Sequence, residues 1–565
     1  MNRIGLRIAG LAVGAALLLS GCSGTAQKTV PAKQANVTLQ NIQLTKAANT
    51  SANPQTAVGR KDTLVAGISA PGGVFLPYFY TNGWDDNATS PIFARLFEYD
   101  TSGSLVPSLA EKYTVSQDQL TYTITLKKDL KFSDGSPLTA DDVAFTLTLL
   151  LDPAYSGNTD LTLASIQDDT DYQKGSASSV AGIKVVDAQT LQVTTSKVNA
   201  QTLSLINVRV LSKAYYGKEY KKGSLAYLKD LYSKPVGAGP YKFASYVPGQ
   251  EVRYVANPNY YAGKPKIENF IYKVTADATK LQLLQTGDTD YDRLSATPEV
   301  VTALKGLGFL NVRTATANSY GYAEFNLKKS YLKDPKVRQA LILGLDRQKY
   351  IDARYRGLGK VATVPSSPFL WSYTTDGVDP MNYDAAKAKQ LLDDAGWKVG
   401  SDGYREKDGQ KLKITYLTRW ANDEIISIAQ ENYKAIGVEF AAQVMDVNSI
   451  TSQVKQGNYD LASFYTSQQL DPNDGVKGFK TNDPSNLTGY SDAKVDELIT
   501  QGNSTLDKSK RKDIYKQLYQ TLTTDPPVIL LYYSTNVWAY NSRIQNFTIS
   551  DFTGIEPSYD TWSVQ

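Results

Sequence analysis

Histidine is absent from the 565-residue chain and cysteine occurs once, at Cys22. The commonest general base and metal ligand near neutral pH is therefore missing, and neither an intrachain disulfide nor a Cys/His zinc site can form. Bond-breaking would have to rest on a Ser–Lys pair, a threonine or carboxylates, and no signature of these stands out. Two segments invite a chemical reading and fail it. Gly237-Ala238-Gly239 has the glycine density of a phosphate cradle, but no Gly-Lys-Ser/Thr ending follows and Pro240 leads into a strand where a helix should begin. Asp134-Gly135 reads as a turn rather than a catalytic acid. The chain is accordingly read as no enzyme, with no cofactor and no metal. Tyrosine is abundant, 38 residues against 16 phenylalanines; its apolar face and polar tip suit recognition, although composition bias and half-buried core tyrosines would give the same count.

Hydrophobic residues make up 42% and charged residues 21%, the proportions of a globular protein with a real core. The length calls for two or three lobes. The net charge of +4 falls to +2 without Arg3 and Arg7, and no basic block gives an electrostatic reason for nucleic-acid binding.

Those two arginines precede an apolar run from Leu11 to Leu19 and then Ser20-Gly21-Cys22. This is the pattern of a secretory leader over 1–21, with an apolar run too short to span a bilayer. Leu19-Ser20-Gly21-Cys22 resembles the lipobox of bacterial lipoproteins, which implies diacylglyceryl transfer to Cys22 and cleavage before it. Two acyl chains at about 0.8 kcal/mol per buried CH₂ give durable anchoring; a plain leader with a chance cysteine is the alternative. Residues 22–59, rich in Ala, Thr, Gln, Asn and Lys, read as a flexible tether with a reach of roughly 35 Å. The expected location is the extracytoplasmic face of the cell membrane.

The remaining chain alternates strands and helices, the pattern of α/β lobes. Leu64–Ile68 reads as a first strand, followed by the turn Pro71-Gly72-Gly73. Tyr122, Ile124 and Leu126 alternate as in a half-buried strand, and a helix is predicted from Ala140, capped by Thr139, with Val143 and Phe145 inward. Further helices are predicted near 336–351, 385–395, 422–436 and 509–523. Leu412–Tyr416, a helix and Val438–Phe440 make a strand–helix–strand unit.

Several segments together resemble the family 5 bacterial extracellular solute-binding proteins, the oligopeptide, dipeptide and nickel binders of ABC importers. Pro107-Ser108-Leu109-Ala110-Glu111 matches that family's P-x-L-A-E stretch, and Phe132 to Val143 its F-x-D-G-x-P signature. Gly237–Tyr241 followed by Asn257–Tyr261 resembles its G-T-G-P-Y and N-P-x-Y-W pair. Phe325-Asn326, Val337-Arg338, Asp346-Arg347 and Ala388 to Trp397 follow in the family's order. The resemblance implies an α/β fold: a two-lobed, periplasmic-binding-protein-like clamp of type II with an extra domain in the first lobe. Mapped onto this chain, lobe I is 60–95 with 200–318 and 536–565, the extra domain 96–199, and lobe II 319–535. The chain should cross near Tyr320–Asn326 and return near Leu530–Tyr540, where a hinge would absorb closure.

The resemblance also directs attention to ligand contacts in three segments. The loop after strand one offers Phe75, Tyr78, Tyr80, Trp84 and Asp85, residues that could equally serve lobe packing. Thr418–Asn422 holds Arg419 and Trp420, in the place of the family segment whose arginine meets a ligand carboxylate; a solvated loop arginine is the alternative. Tyr465 to Asp474 holds Tyr465, Gln468 and Asp471, and Tyr322 joins the candidates from the crossing. Where the family's peptide binders place an aspartate for the α-ammonium, this chain has Gln468, which leaves Asp471 as substitute, or a ligand that runs past, or one without a free amine. The implied partners are a peptide and the permease subunits of an ABC importer, with the protein a monomer. A non-peptide solute and a peptide-pheromone receptor are the competing readings. Changing Cys22 to Ser should release the protein from the membrane fraction in cell fractionation; a variant that stays membrane-bound would remove the anchor reading.

Overall fold

The computed structural model describes residues 40–80, 82–466 and 469–565. The expected leader, Cys22 and the first part of the expected tether lie outside the described residues. No described helix is long and apolar enough to cross a membrane.

The first strand, β1 (Gln43–Thr45), pairs antiparallel with residues 312–314. The Asn49 amide donates to the Gly308 carbonyl at 2.9 Å, and Gln55–Val58 forms a helical turn with Ala57 buried. The tether expected over 22–59 is thereby corrected, since residues 40–58 are part of the folded lobe. A three-residue edge strand needs only backbone partners, which an open sheet edge supplies whatever the side chains. β2 (Thr63–Ile68) follows, buried nearly throughout as a strand with parallel neighbours should be. Then come α1 (Gly83–Thr89) and an inserted layer of β3 (Ala110–Val115), β4 (Thr121–Leu126), α2 (Ala140–Leu150), β5 (Ile183–Asp187) and β6 (Thr190–Thr194). Its antiparallel sheet runs β3-β4-β6-β5, with Tyr122, Ile124 and Leu126 inward over a core of its own. α2 opens on a capping box, the Asp142 carboxylate accepting from the Thr139 amide at 2.8 Å. Val143 and Phe145 are buried.

The chain returns through β7 (Tyr241–Val247), β8 (Glu251–Ala256), β9 (Asn269–Val274), β10 (Tyr291–Leu294) and β11 (Leu310–Thr316). It crosses into lobe II at β12 (Gly321–Phe325), continuing as α3 (Pro335–Leu343), α4 (Arg347–Tyr355), α5 (Ala385–Asp394), β13 (Lys413–Thr418) and α6 (Glu424–Ala435). After β14 (Glu439–Val444), α7 (Val447–Gln456), β15 (Leu461–Tyr465), α8 (Ala493–Ser504) and α9 (Lys508–Thr524), β16 (Val528–Tyr532) leads back to β17 (Thr535–Asn541). The first large sheet runs β1-β11-β17-β10-β2-β9-β8-β7 and the second β14-β13-β15-β12-β16.

The helix predicted over 336–351 is two helices, because the Asp346 carboxylate takes the Lys349 amide at 2.8 Å and caps a new start. Gly237 and Gly239 are fixed by close approach: a Cβ on Gly237 would lie 2.2 Å from the Ile92 carbonyl oxygen, and the Gly239 amide donates to that carbonyl at 2.7 Å. The motif arginines are also structural. Arg338 donates to the Pro526, Leu332 and Lys333 carbonyls, and Arg347 to those of Ala362, Leu530, Pro380 and Met381. Phe369, numbered within lobe II, packs edge-on against Phe552 at 6.2 Å in the lobe I core.

On β12, Glu324 is buried, and that burial pushes its carboxyl up to about 8, with the Tyr459 hydroxyl pulling the other way. The folded state thus holds a proton that the unfolded chain has released, so stability should fall as pH rises from about 4.5 to 8. The expected loss is on the order of 3 kcal/mol. Urea titrations across that range should show it, and Glu324→Gln should flatten the profile.

Candidate functional site

Strand directions decide which loops face each other. β10 is parallel to β2 and antiparallel to β17, which is antiparallel to β11. The carboxyl ends of β2, β10 and β11 therefore share one end of the first sheet, where the chain crosses. In the second sheet β12 enters and β16 leaves at the crossing; β15 is antiparallel to β12 and parallel to β13, which is parallel to β14. The loops after β13, β14 and β15 thus face the loop after β2. A crevice outside the carboxyl ends of parallel strands is where α/β sheets bind ligands.

The two crossings lie side by side. The Ala317 amide donates to the Ser534 carbonyl at 2.7 Å, continuing the β11–β17 ladder whose last pair is Thr316 with Thr535. The loop after β15 is fastened to this crossing. The Thr466 amide donates to the Tyr320 carbonyl at 3.0 Å, the Tyr320 amide to Thr466 Oγ1 at 3.1 Å, Asn318 Nδ2 to the Gln469 carbonyl at 2.8 Å, and the Tyr320 hydroxyl to the Gly475 carbonyl at 2.7 Å. Gly321 has to be glycine, since a Cβ there would lie 2.1 Å from the Tyr532 ring.

Arg419, the first residue after β13, is exposed, with its guanidinium 4.0 Å from the Trp420 ring centre and 5.2 Å from that of Tyr465. Stacking on two aromatic faces orients the guanidinium. Among the described residues no carboxylate pairs with it, whereas neighbouring Arg354 pairs with Glu424 at 3.4 Å. Beneath lies Asp423, buried and capping α6; burial pushes its carboxyl up, while the cap and Arg354 offset part of the rise. Tyr532, at the end of β16, stands 5.2 Å from the Tyr355 ring. The structure brings Arg419, Trp420 and Tyr465 together as one shelf.

Asp471 takes a different place from the one expected. Its carboxylate is buried and held by both terminal nitrogens of Arg511, at 3.0 and 2.9 Å, so it is not free to receive an ammonium. Asp474 accepts from the Leu470 and Asp471 amides at 3.0 and 2.9 Å. Gln468 lies outside the described residues.

The loop after β2 is largely structural. Asp85 is fully buried and accepts from the Gly73 amide at 2.9 Å, closing the Pro71-Gly72-Gly73 turn; its expected ligand role is corrected accordingly. The Tyr78 hydroxyl donates to the Arg209 carbonyl at 3.0 Å, which likewise commits it to the fold. Tyr80 is half-buried beside Asp86, its phenol pushed up to about 12 chiefly by burial. Trp84 is exposed on the first turn of α1, whereas Phe75 is core. Tyr322 sits between the Tyr320 and Phe464 rings, at 5.6 and 6.2 Å, within the sheet layer.

The lobes also touch at their flanks. Arg356 meets Glu299 at 2.6 Å, Asn473 Nδ2 donates to Gln201 Oε1 at 3.1 Å, and the Ala200 amide donates to the Asn503 carbonyl at 2.7 Å. Arg511, Tyr532, Arg356 and Gln201 carried no local signal in the sequence; only their partners in space identify them. A cavity of about 40 Å³ beside Arg347 and Thr363 lies inside lobe II and is too small for a peptide residue.

The chain matches the model of the bacterial extracellular solute-binding proteins, family 5 Middle, over residues 104–486. It is 29% identical over 547 residues to the oligopeptide-binding protein AppA of Bacillus subtilis, covering 94% of each chain. With the di/tripeptide-binding protein 1 of Pseudomonas aeruginosa it shares 28% over 520 residues, 87% of this chain and 92% of that one. The structure of AppA from Bacillus subtilis in complex with a nonapeptide superposes with a TM-score of 0.71 at 27% identity, over 90% of this chain and 99% of that one.

Arg511→Leu should leave the Asp471 charge buried and alone, at a cost of about 3–5 kcal/mol in urea unfolding, and adding Asp471→Leu should restore much of it. Equal stability of the single variant and the wild type would show the pair to be dispensable.

Proposed function

The chain belongs to the family 5 bacterial extracellular solute-binding proteins, and on that premise we propose that it captures peptides between its two lobes and delivers them to the permease of an ABC importer. The observation that carries this reading is Arg419, a cation stacked between Trp420 and Tyr465 at the facing ends of the strands and unpaired among the described carboxylates. A guanidinium held by aromatic faces presents its donor fork to a carboxylate. The relatives named for peptides, and the neighbour solved with one, support extending this to a peptide's carboxylate.

A peptide brings one backbone donor and one acceptor per residue, each needing a partner once water leaves. Bridging waters in roomy side-chain pockets adapt such a site to many sequences. The guest favours closure by the amount that it binds the closed form better than the open one. This work is recognition and not catalysis, and its proposed setting is the extracytoplasmic membrane face, with Cys22 lipidated and the protein a monomer. The sequence Leu19 to Cys22 supports that setting.

Peptides should raise the melting temperature with the logarithm of their concentration once it exceeds Kd. Arg419→Ala should weaken binding of a free-carboxylate peptide by about 10–100-fold without lowering stability, and amidating the peptide's C-terminus should cost wild type a similar factor. Acetylating its N-terminus should cost far less, because Asp471 is already held by Arg511. A broad peptide library that leaves the melting temperature unmoved, while sugars or metal chelates raise it, would overturn the reading.

A further inference from the structure

No described carboxylate pairs with Arg419, although Asp423 and Glu424 follow it closely in the chain, at the start of α6. The reason lies on α4. This helix begins beside the far end of α6, where the Asp346 amide donates to Asn432 Oδ1 at 2.9 Å and Lys349 pairs with Glu431 at 2.7 Å. It runs antiparallel to α6, so its last turn reaches the first turn of α6. There Arg354 pairs with Glu424 at 3.4 Å and holds its guanidinium 5.8 Å from the centre of the Trp420 ring, on which Arg419 also stacks at 4.0 Å. The two guanidinium groups therefore lie within about 10 Å of each other, roughly one screening length. Burial opposes the charge of Arg354, but Asp423, Tyr350, Glu424 and Tyr355 together hold its pKa above the ordinary value.

We propose that Arg354 is the charge-balancing residue of the carboxylate site: by engaging Asp423 and Glu424 it keeps them from pairing with Arg419 and from repelling the guest's carboxylate. The inference rests on the peptide reading and adds the residue that makes the site select a free carboxylate. Arg354 acts through the two acids and Trp420, as a positioning residue and not as a contact of the guest. Two carboxylates beside one cation leave a net negative charge, which disfavours a third carboxylate. With Arg354 in place the two acids are balanced by two cations, and the donor fork of Arg419 is left for the guest. Asp423 is tied down as the cap of α6. Glu424, 38% exposed and held by Arg354 at a single 3.4 Å contact, would turn to Arg419 once Arg354 lost its charge.

The test is calorimetric titration of the full mature chain, at low and at high salt, with one heptapeptide as its free acid and as its C-terminal amide. Arg354→Gln should weaken the free acid about 5-fold at low salt and less at high salt, while the amide changes by no more than about twofold. Glu424→Gln should tighten the free acid, and Arg354→Gln/Glu424→Gln should regain most of what Arg354→Gln lost. Wild-type affinity for the free acid in Arg354→Gln would overturn the charge-balancing role and leave peptide capture standing. So would an equal loss for acid and amide that the double variant does not regain. If the wild type bound neither form, the peptide reading would fall and this role with it.

Discussion

Everything about this protein follows from two antiparallel segments crossing from one sheet to the other side by side. Residues 317–320 go out and 533–534 come back, joined by the Ala317–Ser534 hydrogen bond. Because β11 ends and β12 begins there, the strand directions on both sides are set relative to that boundary, and the carboxyl ends of β2, β13, β14 and β15 must face it. The crevice is thus a product of connectivity before any side chain is chosen. Tyr533 strengthens the boundary, its one hydroxyl proton shared between the Val364 and Ser366 carbonyls at a fully buried position.

The disposition of charge complements that geometry. Ions taken out of water are costly unless paired or hydrogen-bonded, and several of the buried ones here are paired: Asp290 with Arg543 at 2.7 Å and Arg60 at 3.0 Å, Arg209 with Asp86 and Glu556, and Asp471 with Arg511. Arg419 differs in being exposed, aromatic-stacked and without a described carboxylate. The same contrast separates the tyrosines: Tyr533 and Tyr320 hold backbone carbonyls in the core, whereas Tyr465 stands in solvent beside the cation.

The elements were legible in the sequence where a local rule governs them. Alternation placed Tyr122, Ile124 and Leu126 in β4, the Thr139 cap began α2 at Ala140, and the glycine pair at 237 and 239 read as a turn. The crossing and Arg419's position after a strand were legible through resemblance. What stayed hidden was set by partners far along the chain. Asp471 looks available until Arg511, 40 residues on, is seen to take both its oxygens, and Asp85 looks like a ligand contact until the Pro71-Gly72-Gly73 turn folds over it. β1 was missed because it pairs by backbone alone with a strand some 270 residues later, leaving no apolar pattern to read. The helix break at Gly344–Asp346 was missed because the apolar spacing runs on through it, and only the Asp346 cap ends it.

The described residues that follow β15, Thr466 and then Gln469 to Gly475, belong to three bodies at once. Asn318 and Tyr320 bind them to the crossing, Arg511 grips them from α9, and Asn473 reaches Gln201 on the other lobe. If the proposed cleft holds the ligand, recognition there and the resting arrangement of the lobes share one set of contacts and cannot be adjusted separately. Anyone rebuilding this scaffold as a biosensor by grafting a foreign sequence there would change its signal in the absence of analyte as well as what it detects.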